Sequence, residues 1–243
     1  MDRTYCYAPE HTVLKNKLDI KNNDDLLRTE TLLTRQRMRQ PLDAAFEMTP
    51  QNYRAIHRHI FQDVYEWAGE YRTTELYKGA SAFEYPQVID GRMDEIFEAH
   101  AHLAAGDHVS DQVSDHLSAQ EFSHQAAQLM HHLNDVHPFR EGNGRTQRVF
   151  LERLGAQAGH HIEQANIDAK LWVEGAMQSF VQGGKKDNPL LVECISTAIE
   201  LSRPSEMDAR MDHDPTLVGD AHGGADLDHG IDNDGQDDGR GGR

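Results

Sequence analysis

The chain carries, from residue 137 to residue 148, the stretch His137-Pro138-Phe139-Arg140-Glu141-Gly142-Asn143-Gly144-Arg145-Thr146-Gln147-Arg148. On both sides of it, apolar side chains repeat at the spacing of a helix with one buried face. Upstream these are Leu117, Phe122, Ala126, Leu129, Met130 and Leu133, and downstream Val149, Phe150, Leu151 and Leu154, with Gly159 ending the second run. The pattern therefore predicts a helix–loop–helix whose loop spans Pro138 to Asn143.

The residue types in this loop suit the chemistry of phosphate groups. Gly142-Asn143-Gly144 opens the second helix, where unpaired N–H groups and the positive end of the helix dipole form an anion site. Arg145 and Arg148 are three residues apart, so they share one face and can reach further phosphate oxygens. Glu141 is suited to hold Mg²⁺ together with substrate phosphates. His137 can take a proton from a hydroxyl near neutral pH. Together they indicate phosphoryl or nucleotidyl transfer.

These residues are similar to the Fic motif, His-x-Phe-x-(Asp/Glu)-Gly-Asn-Gly-Arg-x-x-Arg, and every specified position is filled. Tyr5 to Leu18, Glu66-Trp67-Ala68-Gly69 and the segment through Lys78-Gly79 also resemble bacterial Fic toxins. The resemblance implies a mostly α protein with the Fic fold, a helical bundle with a short β-hairpin flap. It covers residues 1–202 as a Fic AMP-transferase domain and leaves residues 203–243 as a tail.

The resemblance implies that AMP moves from Mg-ATP to a Tyr, Ser or Thr hydroxyl of a target protein. His137 would be the catalytic base and Glu141 the Mg²⁺ ligand, while Phe139 would anchor the loop in the core. The nucleotide contacts would come from Gly142, Asn143, Gly144, Arg145, Arg148 and Lys78. Relatives of the phosphorylating Doc type carry Lys where this chain has Gly144, so the chain resembles the AMP-transferring branch.

Other functions stay open at this point. A Fic-type transferase could move another phosphate-containing group, such as UMP or a phosphoryl group. A non-catalytic Fic-fold binding module is disfavoured because no motif position is lost. A zinc hydrolase using His131 and His137 is disfavoured because the 16 histidines form no His-Glu-x-x-His pattern.

A short β-hairpin is predicted within Arg72–Pro86, where the helical period breaks. Strand-favouring residues flank Gly79 there: Thr73, Thr74, Leu76, Tyr77, Phe83 and Tyr85. By resemblance this hairpin is the flap whose edge pairs with the target peptide and presents its hydroxyl to His137. The alternative is an ordinary connecting hairpin.

Capping residues and apolar spacing predict the remaining helices. The first begins at Asn23 or Asp24 and runs to Arg39, and the second begins at Thr49-Pro50 and runs to Gly69. A third spans Val88 to Leu103. A later helix follows a cap at Asn166 or Asp168, and the last begins at Asn188-Pro189. A loop is predicted at Gly106–Asp111, and Gly183-Gly184 is predicted to break the penultimate helix.

Composition limits the cellular setting. The formal charge of −17 disfavours non-specific binding to nucleic acid or to anionic membranes. The chain has no apolar run near 18 residues and no signal-peptide pattern, and Cys6 and Cys194 look like reduced thiols, so a cytoplasmic protein is predicted. Residues 205–243 hold eleven acidic residues and three arginines and little to bury, which predicts a disordered acidic tail.

The resemblance also implies regulation by a Ser/Thr-x-x-x-Glu-Gly/Asn helix whose Glu pairs with the second motif arginine. Ser196 to Glu200 has this spacing, but Leu201 replaces Gly or Asn. An ordinary last helix is therefore favoured, and a small separate antitoxin is expected to supply the inhibitory helix. By the same resemblance, the ATPase subunits of DNA gyrase and topoisomerase IV are the expected targets of such a toxin.

Overall fold

The structure is a computed structural model, and it describes residues 2–42, 45–78, 81–104, 117–181 and 188–203. These residues form seven α-helices and one antiparallel hairpin. The elements are α1 (Asn23–Met38), α2 (Pro50–Phe61), β1 (Tyr77–Lys78), β2 (Ser81–Ala82), α3 (Ile89–Ala99), α4 (Ala119–Val136), α5 (Asn143–Gln157), α6 (Ala169–Val181) and α7 (Pro189–Leu201). The predicted class, a mostly α bundle with a short hairpin, is confirmed.

Polar side chains cap the helix starts, largely where the sequence predicts. Thr49 accepts the N–H of Asn52 ahead of Pro50, Asp168 accepts the N–H groups of Lys170 and Leu171, and Asn188 accepts that of Leu191. Ser118 and Glu121 form a reciprocal capping box at α4. The cap of α1 is Asn22, one residue before the predicted Asn23 or Asp24.

The prediction that α2 continues to Gly69 is wrong, because the helix ends at Phe61. The chain then folds back on α2, and the Gly69 N–H donates to Nδ1 of His57 at 2.8 Å. A straight helix would separate these twelve residues by about 18 Å. Gly69 has φ +87°, and a Cβ there would lie 2.9 Å from that of Arg58, so the return also requires glycine.

The core is organised around α4, which packs against α3, α5, α6 and α7. Its buried face contains Phe122, Ala126, Ala127, Leu129, Met130, Leu133 and Val136. The second side of the core is formed by α5 with α2, where Phe150 packs against Tyr53, and Phe97 of α3 packs against the same ring of Phe150. The loop between α4 and α5 is thus held by two helices that are themselves fixed by the core.

Two further segments are shorter than predicted. Helix α3 stops at Ala99, because His100 leaves helical geometry and a 3₁₀ turn follows over Ala101–Ala104. The hairpin has two residues in each strand, and Tyr77 pairs with Ala82 while Lys78 pairs with Ser81.

Some predictions fall outside the described residues. These are the loop at 106–111, the break at 183–184 and the acidic tail from 204 onward. The division at residues 202 and 203 therefore stays a prediction. Among the described helices, none is long and apolar enough to cross a membrane.

Candidate active site

His137 closes α4 in a left-handed conformation. Its φ is +48°, and its N–H donates to the carbonyl of Leu133 at 3.0 Å. Left-handed geometry is uncommon for a residue with a side chain, and it turns the chain sharply out of the helix. The imidazole stacks on the ring of Phe83, 4.0 Å between centroids. Because Phe83 directly follows β2, the candidate base lies beside the hairpin.

Asn143 braces the loop from the first residue of α5. Its Oδ1 accepts the Phe139 N–H at 3.0 Å, and its Nδ2 donates to the Phe139 carbonyl at 2.8 Å. The side chain is buried. The side-chain amide of Asn143 is therefore committed within the loop, and the group left for the predicted nucleotide contact is its backbone N–H at the helix start.

Phe139 anchors the loop in the core, as predicted, and it does so against His57. The two rings stack 3.8 Å apart, and both residues are fully buried. Because Nδ1 of His57 accepts the Gly69 N–H, Nε2 carries the proton and donates to the Glu141 carbonyl at 3.0 Å. Burial lowers the pKa of His57 to about 3, so the ring stays neutral. His57 thus ties α2 to the loop.

The two motif glycines meet different surroundings. Gly142 has φ +87°, and a Cβ there would lie 2.2 Å from Cζ of Phe61. Glycine is therefore required at this position by both backbone and packing. A Cβ on Gly144 would meet nothing within 4 Å, and the residue is exposed. The space in front of Gly144 is open.

Arg145 is held by helix α1. Its guanidinium donates to Oε1 of Glu30 at 2.5 Å and to Oγ1 of Thr34 at 3.3 Å, and it lies over the ring of Phe61. Tyr65 donates to the other oxygen of Glu30. Burial raises the pKa of the Tyr65 phenol and the Glu30 carboxylate raises it further, so Tyr65 remains a donor.

Glu30, Thr34 and Tyr65 were missed by the sequence reasoning. The buried residues of α1 are Leu26, Glu30 and Thr34, which recur every four residues. A carboxylate on the buried stripe of a helix is the signal that could have identified Glu30, because buried charges require partners. The partner lies 115 residues away in sequence, and no local pattern reveals it.

Glu141 contributes a partly exposed carboxylate, as a metal ligand held with phosphates would. Its Oε1 accepts the Gly142 N–H at 2.9 Å and lies 3.3 Å from Nη2 of Arg145. Among the residues described, no group of three or more His, Cys, Asp or Glu side chains is arranged to hold a metal ion. The zinc alternative built on His131 and His137 therefore gains no support.

Two cavities open beside these residues. One, of about 320 Å³, is lined by Glu30, Tyr65, Arg140, Glu141 and Arg145 among others. The other, of about 340 Å³, is lined by Glu30, Thr34, Arg145 and Arg148 together with apolar residues of α1. Burial lowers the pKa of the Arg148 guanidinium, and the positive charge of Arg145 lowers it further. The structure thus brings Glu141, Arg145 and Arg148 to the walls of two cavities that share Glu30 and Arg145.

Two further predicted residues lie on other elements. Glu200 is exposed in the last turn of α7. Lys78 ends β1, but its side chain lies outside the described part of the structure.

The loop between α4 and α5 carries a histidine beside a hairpin and leads into a glycine-flanked helix start. This arrangement defines a Fic-type transferase site. The chain belongs to the Fic/DOC family, whose model matches residues 47–154. The probable protein adenylyltransferase y4lH of Sinorhizobium fredii is 38% identical over 175 residues, which cover 72% of this chain and 86% of that relative.

A second relative, protein adenylyltransferase VbhT of Bartonella schoenbuchensis, is 34% identical over 176 residues, 71% of this chain but 35% of VbhT. The crystal structure of BepC from Bartonella tribocorum, with bound AMPPNP, shares the fold with a TM-score of 0.68 at 22% identity. It covers 82% of this chain and 97% of that one. The predicted class, a Fic-domain protein adenylyltransferase, is confirmed.

Proposed function

We propose that this chain transfers AMP from Mg-ATP to a Tyr, Ser or Thr hydroxyl of a target protein. The observation that carries the proposal is the loop between α4 and α5. It joins an imidazole beside the hairpin to a glycine-flanked helix start whose arginines border open cavities. The names of the relatives support the adenylyl group as the transferred group.

In this proposal His137 accepts the proton of the target hydroxyl as the oxygen attacks the α-phosphorus. One P–O bond forms to the target, the bond to the β-phosphate breaks, and pyrophosphate leaves with the bonding electrons. The backbone N–H groups of Asn143 and Gly144, at the start of α5, would stabilise the charge that develops on the α-phosphate. The Gly142 N–H would join them once it leaves Oε1 of Glu141, to which it donates in this structure. Arg145 and Arg148 bind the rest of the triphosphate, with Lys78 as a further contact.

Glu141 is the residue that would hold Mg²⁺, and one partly exposed carboxylate fits an ion that takes its other ligands from phosphates and water. The ion would offset phosphate charge. Glu30 is committed to Arg145 and Tyr65, so it serves the arginine rather than the ion.

The hairpin is the proposed platform for the target. Tyr77 and Tyr85 are exposed on it, and its short strands leave an edge to which an extended peptide can add. A peptide bound there would run past Phe83, whose ring contacts His137.

We further propose that the chain is a cytoplasmic toxin held inactive by a separate antitoxin. Arg148 borders a cavity beside Arg145, where a glutamate from a Ser/Thr-x-x-x-Glu-Gly/Asn helix would find a cationic partner. Glu200 lies exposed on α7. Glu200→Gly is therefore expected to leave the activity of the isolated chain unchanged, and a large rise would contradict the separate inhibitor. The ATPase subunits of gyrase and topoisomerase IV are the first targets to test.

Labelled ATP tests the transferred group. The chain is incubated with cell lysate and Mg-ATP labelled at either the α- or the γ-phosphate, with His137→Ala as the control. AMP transfer predicts protein labelling from the α-label alone and none with His137→Ala. Label from γ alone would indicate a phosphoryl transferase. Label from neither would indicate a binding module or another nucleotide, such as UTP, which is then supplied with its own α-label.

A further inference from the structure

Arg72 is a buried arginine whose hydrogen-bond acceptors, among the residues the structure describes, are all backbone carbonyls. The residue is 2% exposed and ranks among the largest fully buried side chains of the described structure. Its guanidinium donates to four backbone carbonyls, in two pairs that belong to different parts of the fold. A planar fork with five N–H groups can satisfy several acceptors in fixed directions.

The first pair lies at the carboxyl end of α4. Nε of Arg72 donates to the His137 carbonyl at 2.9 Å, and Nη2 donates to the Val136 carbonyl at 3.1 Å. The backbone N–H of Arg72 also donates to the carbonyl of Pro138 at 2.8 Å. The last carbonyls of a helix lack intrahelical partners and carry its negative pole, so a cation is favourable there. Three successive carbonyls around His137 are thus held by one residue.

The second pair lies on the two stems of the hairpin. Nη1 donates to the carbonyl of Thr74 at 2.9 Å, three residues before β1, and Nη2 donates to the carbonyl of Glu84 at 2.5 Å, two residues after β2. An isolated two-stranded hairpin is marginal in water. The Arg72 side chain therefore joins both stems to the backbone that carries the imidazole.

We infer that Arg72 is a positioning residue that fixes the hairpin at a set distance from His137, so that a bound peptide meets the base. The inference rests on the proposed function, in which the hairpin presents the target hydroxyl. The stacking of the Phe83 ring on His137 agrees with a hairpin held in a fixed position beside the imidazole.

Arg72 acts on the target side of the reaction and not on the nucleotide side. The arginines of the nucleotide side extend from α5, and Arg145 is held there by Glu30 of α1, without any contact to Arg72. Loosening the hairpin should consequently slow transfer while leaving nucleotide binding unchanged.

The test compares Arg72→Lys with Arg54→Lys in the full chain. Lysine keeps the charge but cannot span both pairs of carbonyls. Arg54 is a matched control because it is partly buried nearby and donates to a single carbonyl, that of Gly69, at 2.8 Å. The measurements are amide hydrogen exchange, binding of Mg-AMPPNP by calorimetry, and the rate of α-label incorporation into lysate protein as ATP is varied.

For Arg72→Lys we expect the maximal rate of labelling to fall by about 10- to 100-fold. The half-saturating ATP concentration and the affinity for Mg-AMPPNP should stay within about twofold, and amide exchange should accelerate in residues 74–78 and 81–84. Arg54→Lys should leave both the labelling rate and this exchange near wild type. Wild-type exchange in the hairpin of Arg72→Lys, or acceleration spread evenly through α4 and α5, would overturn the inference.

A measurement on the wild-type chain covers the case in which Arg72→Lys does not fold. With ¹⁵N-labelled arginine, the Arg72 Nε–H should exchange with solvent much more slowly than that of exposed Arg28. Fast exchange at Arg72 would contradict the bond to His137. If the wild-type chain transfers no α-label, the proposed function fails, while both exchange measurements still decide whether Arg72 fixes the hairpin.

Discussion

Replacing Gly142 by alanine should destabilise the chain severely, whereas the same change at Gly144 should not. Both are glycines at the start of α5, two residues apart, and they differ in what a methyl group would meet. At Gly142 the left-handed backbone costs an alanine about 1–2 kcal/mol. The new Cβ would also lie 2.2 and 2.3 Å from two carbons of the buried Phe61 ring.

Phe61 cannot move without disturbing its neighbours. Its ring stacks on His57 at 4.7 Å and lies under the guanidinium of Arg145 at 4.6 Å. Overpacking of this kind costs about 1–3 kcal/mol. With the backbone strain, Gly142→Ala should lower the free energy of unfolding by about 2–5 kcal/mol, a large share of the 5–15 kcal/mol typical of a domain.

Gly144→Ala should raise the free energy of unfolding by up to about 1 kcal/mol, because alanine is the better helix former and its Cβ meets nothing within 4 Å. Urea unfolding followed by circular dichroism measures both changes. A cost below about 1 kcal/mol for Gly142→Ala, or a destabilisation above about 1 kcal/mol by Gly144→Ala, would contradict these contacts.

Activity separates the two sites further. Folded Gly144→Ala should lose AMP transfer, because its methyl group would occupy the open space where the proposal brings a phosphate against the backbone. Phe61→Leu combined with Gly142→Ala should recover part of the lost stability, since it relieves the contact but not the strain. A wild-type transfer rate in Gly144→Ala would contradict the placement of the phosphate.

Two further predictions concern buried polar groups. Glu30→Gln should lower the free energy of unfolding by about 1–3 kcal/mol, because Arg145 loses a charged partner. Asp25→Asn, which removes the exposed ion pair with Arg28, should cost less than about 0.5 kcal/mol. Chemical unfolding of both variants measures the difference. The pKa of His57 is lowered to about 3, so only the unfolded state takes up its proton as pH falls below about 6.5, and stability is lost in that direction. Between pH 7 and pH 5 this loss of stability should be about 2 kcal/mol. His57→Gln should be less stable overall, but its free energy of unfolding should fall by about 2 kcal/mol less over the same pH range. An equal fall in both proteins would show that His57 is protonated in the folded state.

The sequence predicts best what neighbouring residues decide. The loop from Pro138, the cap at Thr49 and the start of α7 at Asn188 follow from local residues, and they appear where predicted. Helix α2 ends at Phe61, and the return of the chain is marked by a hydrogen bond between Gly69 and His57, which are twelve residues apart in sequence. The helical spacing of apolar residues continues through that turn, so a prediction from periodicity alone makes the helix too long.

The candidate site divides in the same way. The motif residues are contiguous, and their family could be inferred from the chain alone. Glu30, Tyr65 and Arg72 lie far from the motif in sequence, and each acts through a tertiary contact. Only Glu30 leaves a trace in the sequence, as a carboxylate on a buried helical stripe.

The two carboxylates around Arg145 bear on which form of the nucleotide the site accepts. Glu30 and Glu141 both lie within 3.3 Å of its guanidinium, so the positive charge of Arg145 is already largely balanced. A bare triphosphate would bring several uncompensated negative charges toward these acids and be repelled. We expect the site to discriminate against the bare triphosphate, because a polyphosphate that carries its own counter-ion meets a much smaller electrostatic barrier at these cavities.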